Sequence, residues 1–200
     1  MRTAPGRTRV GVLISGRGSN MGALLEAARD PAYPAEITLV LSNNPDAPGL
    51  QTARNAGVEA LAIDHRPFAG NREAHERALD AALQEREVEV LALAGYMRVL
   101  SPFLVNAWAG RMLNIHPSLL PLYPGLHTHR RALEAGDAEA GCSVHLVTEG
   151  VDEGPVLAQA RVPVLPGDTE ESLAVRVLEA EHALYPAALA DFVSRRSDRP

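Results

Sequence analysis

The 200-residue chain carries 19 basic and 25 acidic side chains, a formal net charge of −6 at pH 7 and 46% hydrophobic residues, the composition of one soluble globular domain rather than a broad nucleic-acid binder. All 19 basic residues are arginine, which excludes a Schiff-base lysine, a pyridoxal-phosphate anchor and a lysine-bearing P-loop. The lone Cys142 excludes a disulfide framework and every CxxC motif, and the longest apolar runs, such as Val88–Ala94, are too short to cross a bilayer. The opening MRTAPGRTRV has no apolar signal core, so a reducing cytoplasm is the expected compartment.

In chain order, Arg9–Ile14 predicts a short buried strand that stops at SGRGSN, followed by a helix over Met21–Ala28. Ile37–Leu41 repeats the pattern ahead of SNNPDAPG and a helical Leu50–Asn55. Val58–Ile63 predicts a third strand, Arg72–Arg86 an amphipathic helix, and Val88–Ala94 a nearly all-apolar and therefore central strand. Such alternation predicts a parallel sheet with right-handed crossovers, binding ligands beyond the carboxyl ends of its strands. Ser15–Asn20, Gly95–Ser101 and Asn114–His116 are the three segments expected at that edge. Pro117–His129 is expected as a restricted loop, Ser143–Thr148 and Pro155–Val164 as two strands, and Glu170–Val193 as a closing helix broken at Pro186. Residues 194–200 are expected to fray.

Three places can carry chemistry. The glycines of SGRGSN let backbone amides approach an anion at a helix N-terminus, with phosphate on Gly18, Ser19 and Asn20 as the functional alternative to an empty turn. The spacing of Gly16, Gly18 and Gly22 is not the dinucleotide fingerprint, and Ser42-Asn43 offers no acid to a ribose diol. Asn114 and His116 share one side of a strand end, where an amide can stabilise an oxyanion while an imidazole moves a proton. Asp152 in TEGVDEG could orient His116, although Glu149 and Glu153 crowd it and charge alone does not select it. His127, His129, His116 and His145 lack metal-ligand spacing, so no metal is expected.

LISGRGSNMGAL, LSNNPDAPGL, LALAGYMRVLSPFLV, MLNIHPSLLPLYPGLHTHRRALEAGD, GCSVHLVTEGVDEGPVLAQARVPV and EAEHALYP, in this order from about residue 9 to residue 190, resemble the phosphoribosylglycinamide formyltransferase family. NIHPSLLP alone is similar to the wider formyltransferase superfamily, including methionyl-tRNA formyltransferase and formyltetrahydrofolate hydrolase; YPGLHTH with SGRGSN is similar to the glycinamide ribonucleotide branch. The regulatory and tRNA-binding domains of those other members are not expected here. The resemblance implies an α/β, Rossmann-like, mostly parallel twisted sheet of about seven strands flanked by helices. It implies one domain over residues 1–200, with a nucleotide-binding-like half (9–116) and a folate and catalytic half (117–193).

The implied reaction is formyl transfer from 10-formyltetrahydrofolate, a co-substrate, to the amine of glycinamide ribonucleotide in purine biosynthesis, by direct attack through a tetrahedral adduct. Asn114, His116 and Asp152 are the implied catalytic residues, with protonated His116 joining Asn114 at the oxyanion and Asp152 favouring the imidazolium. Gly18, Ser19, Asn20 and Glu181 would hold the ribonucleotide. Arg72, Met97, Arg98, Val99, Leu100 and Asn114 would hold the folate. Glu153 stands where the family commonly has glycine, which recharges the loop Glu149–Gly154, a candidate lid. A hydrolase and a non-catalytic anion-binding module are the alternatives. Small-molecule substrates, no nucleic acid, no membrane and a monomer or homodimer complete the expectation.

Overall fold

The computed structural model describes residues 6–197. Its strands are β1 (Thr8–Ile14), β2 (Ala35–Ser42), β3 (Glu59–Ala62), β4 (Val90–Leu93), β5 (Met112–His116), β6 (Glu139–Leu146) and β7 (Val156–Pro163). The helices are α1 (Ser19–Ala27), α2 (Pro48–Asn55), α3 (Arg72–Glu85), α4 (Pro102–Ala107), α5 (Thr128–Ala135) and α6 (Glu170–Ser197). One seven-stranded sheet runs in the order β3-β2-β1-β4-β5-β6-β7. The pairs from β3 through β5 are parallel, whereas β5–β6 and β6–β7 are antiparallel. The expected mostly parallel α/β architecture is therefore present, with β4 at its centre.

Strand alternation sends Val10, Val12, Ile14, Val90 and Ala92 to one face, where they pack with α1, α2, α5 and α6. Leu13, Leu39, Leu41, Leu91 and Leu93 go to the other face, against Leu79 and Leu83 of α3, Leu104 of α4 and Trp108. Burying each such leucine contributes about 1.5–3 kcal/mol, so the two layers drive the fold. The sheet continues across the boundary expected at residues 116 and 117, because His116 on β5 pairs with Ser143 on β6.

Two expectations at the C-terminus are corrected. Pro186 does not break the closing helix: α6 runs unbroken from Glu170 to Ser197. Proline removes one N–H from the helix interior, but Tyr185 and Leu189 on either side are fully buried and Tyr33 Oη donates to the Pro186 carbonyl at 2.7 Å. The expected fraying from residue 194 is also absent as far as Ser197, since Arg195 pairs with Asp191 at 2.9 Å and Arg196 donates to the Gly110 carbonyl at 3.2 Å. Residues 198–200 lie outside the described residues.

Candidate active site

A cavity of about 790 Å³ opens at the carboxyl ends of β4 and β5. Met97, Arg98, Val99 and Leu100 line one part of it, Asn114, His116 and Asp152 another, and Asn20 and Glu181 a third. Of the expected ribonucleotide contacts, Gly18 caps the start of α1 with a left-handed φ of 65° that suits glycine, and Ser19 begins the helix. Of these three, only Asn20 reaches the cavity wall, its Nδ2 donating to Glu181 Oε2 at 2.8 Å while its buried Oδ1 has no partner among the described residues. Burial pushes the Glu181 carboxyl up from its ordinary value, the Asn20 bond pulling weakly the other way. Arg72 is exposed in the first turn of α3 and is not part of the wall.

β5 supplies the centre. Parallel pairing of Leu93 with Asn114 sets its height against β4, and alternation turns Asn114 and His116 to the same side. His116 Nε2 lies 2.9 Å from the Tyr123 carbonyl. A carbonyl only accepts, so Nε2 carries the proton. Nδ1 lies 3.3 Å from Asp152 Oδ2. Asp152 favours the imidazolium, as expected, but the expected protonated resting state of His116 is corrected. Burial lowers the imidazole pKa more than the Tyr123 carbonyl and the Asp152 carboxylate raise it, so it lies below the ordinary 6.5.

Asp152 has a left-handed φ of 57° and accepts the Gly125 N–H at 2.8 Å. Burial works against its charge, yet the Gly125 N–H and the charge that His116 gains on protonation hold the carboxyl below its ordinary value. Glu153 is exposed with no left-handed φ, so a side chain is accommodated there without backbone strain. Asn106 Nδ2 fastens the start of this loop by donating to Glu149 Oε1 at 3.1 Å.

His145, weighed from sequence only as a metal ligand, sits opposite Asn114 across the β5–β6 pair. Its Nδ1 is 2.9 Å from the Leu146 carbonyl and therefore donates. Its Nε2, 3.1 Å from Asn114 Nδ2 and 3.5 Å from Asp152 Oδ1, then accepts from the amide. One Asn114 N–H is thus fixed, and the second is left for a ligand oxygen. Among the described residues, no group of three or more His, Cys, Asp and Glu is arranged to hold a metal ion, and no helix is long and apolar enough to cross a membrane.

The formyl transferase family profile matches residues 8–189. The chain belongs to the formyl transferase family. Within it, the phosphoribosylglycinamide formyltransferase of Escherichia coli is 49% identical over 92% of this chain and 87% of its own length. The trifunctional purine biosynthetic protein adenosine-3 of Drosophila melanogaster is 52% identical, but the chain spans only 14% of that larger protein. Among solved structures, phosphoribosylglycinamide formyltransferase from Brucella melitensis superposes with a TM-score of 0.90 at 57% identity, covering 94% of this chain and 96% of its own. Glycinamide ribonucleotide transformylase 1 from Symbiobacterium toebii gives 0.94 at 47% identity, covering 98% and 92%.

Proposed function

We propose that the chain transfers the formyl group of 10-formyltetrahydrofolate to the amine of glycinamide ribonucleotide, in purine biosynthesis and in the cytoplasm. The observation that carries this reading is the meeting of an amide, an imidazole and a carboxylate in the wall of one cavity that is also lined by Asn20 and Glu181 and by Met97–Leu100. Asn20 and Glu181, with Gly18 and Ser19 at the adjacent helix start, suit the phosphate and hydroxyls of a ribonucleotide. Exposed Met97 and Val99, with Leu100 and Arg98, suit a flat aromatic group bearing carboxylates. Arg72 would serve only a tail reaching beyond the wall.

When bound, the donor supplies an electrophilic formyl carbon. Asn114 gives its free N–H to the oxygen that gains charge there, an interaction stronger in the transition state than before it. Neutral His116 takes up at Nδ1 the proton released by the attacking amine, and Asp152 stabilises the imidazolium formed. His116 returns that proton to the departing folate nitrogen. Asp152 therefore acts on the cation made during reaction rather than on a resting one.

The test follows donor absorbance with and without glycinamide ribonucleotide. Conversion that requires the ribonucleotide is expected. Conversion without it would point to a hydrolase, and none in either case would point to a binding module.

A further inference from the structure

The two ends of the loop Gly95–Ser101 are held by groups outside the cavity. Ser15 Oγ accepts the Met97 N–H at 2.8 Å and donates to Asn43 Oδ1 at 2.6 Å. At the other end, Glu76 of α3 is only 1% exposed and takes part in no ion pair among the described residues. Its Oε1 accepts the Ser101 N–H at 2.9 Å, and its Oε2 accepts the Ser101 hydroxyl. A buried carboxylate without a cation is costly unless hydrogen bonds satisfy it. A neutral side chain could join α3 to α4 at a smaller desolvation cost. What the carboxylate adds is a pair of acceptors that fixes Ser101 at both backbone and side chain, four residues along the chain from the Met97 pin.

We propose that Glu76 is a positioning residue for the donor: by fixing Ser101 it sets the conformation of Met97–Leu100 and hence the affinity for the folate. This rests on the formyl-transfer reading for the identity of the ligand, but not for the existence of the clamp. Ser15 is the matching support at the Met97 end.

The experiment compares wild type, Glu76→Ala and Glu76→Gln by steady-state kinetics with 10-formyltetrahydrofolate and glycinamide ribonucleotide, and by amide hydrogen exchange over residues 95–101. Glu76→Ala should raise the KM for the formyl donor about tenfold, the scale of one lost charge-assisted hydrogen bond. The KM for the ribonucleotide should stay within about twofold, the margin expected where no direct contact is lost. Exchange should quicken in the loop and not through the sheet. Glu76→Gln keeps one carbonyl acceptor for the Ser101 N–H and should recover part of the donor KM. Equal rises in both KM values, or a loop exchanging as in wild type, would overturn the proposal. Wild type that fails to turn over the pair would refute the formyl-transfer reading while the exchange data still decided whether Glu76 holds the loop.

Discussion

With its Nε2–H given to the Tyr123 carbonyl, His116 can accept a proton only at Nδ1, and there it meets Asp152 at 3.3 Å. Asn114, held by His145 through one N–H, has a single direction left for the other. Asn114→Ala and His116→Ala should each fold, by circular dichroism, and lose about 10²–10³ in turnover. Near-normal turnover would remove that residue from the mechanism. Asp152→Asn deletes the charge that raises the His116 pKa. The acid limb of its pH–rate profile should therefore move to lower pH while the plateau falls; an unmoved limb would separate His116 from the rate. Asn114 and His116 were legible because period two in a strand makes them neighbours on one side. Asp152 was not separable from Glu149 and Glu153 by charge, since what selects it is a left-handed backbone and a Gly125 N–H. His145 was hidden because its partnership with Asn114 depends on pairing register across 31 residues.

At the scale of elements, α6 is tied to the site by Tyr185, whose fully buried hydroxyl lies 3.0 Å from the Leu93 carbonyl and 3.2 Å from that of Leu113. Those carbonyls belong to the two strands that end at the cavity. Tyr185→Phe removes the one O–H that the two carbonyls share in a dry setting and should cost about 1–3 kcal/mol in urea unfolding, with turnover reduced less than in Asn114→Ala. A variant as stable as wild type would mean that the carbonyls find other donors. The strands and the long helices were legible from short apolar runs and helical periodicity. α4, six residues long, carries too few turns to show a period, and α5 begins at Thr128, inside the segment expected as a restricted loop through His129. Pro186 misled for the opposite reason: a local rule gives way when the residues on both sides are locked in the core.

For the whole molecule, His75, His116 and His129 have pKa values held below 6.5 by burial. The unfolded chain takes up these protons as the pH falls through 6.5, whereas the folded chain resists, so unfolding becomes linked to proton uptake and stability drops on acidification. Glu181 runs the other way, its raised value favouring the protonated folded form. With three groups against one, Tm should fall between about pH 7 and pH 5, and a flat or rising Tm would show that these histidines titrate normally. Asp152, held below its ordinary value, adds a further loss at still lower pH.

The antiparallel β6 has one more effect on the site. Its hairpin to β7 leaves the sheet beside the start of β5, where Leu146 pairs with Leu113 and the Val147 N–H meets the Met112 carbonyl. Asp152 nevertheless reaches His116, about three residues or ~10 Å further along that strand. The connection from Val147 to Pro155 is thus a ruler laid back along β5, and its count of residues meters how far the carboxylate extends. Removing Gly150 would shorten the ruler by one division and leave every site residue in the sequence, yet strand Asp152 short of the imidazole. Activity in such a deletion should drop towards that of Asp152→Asn, a defect of length and not of composition.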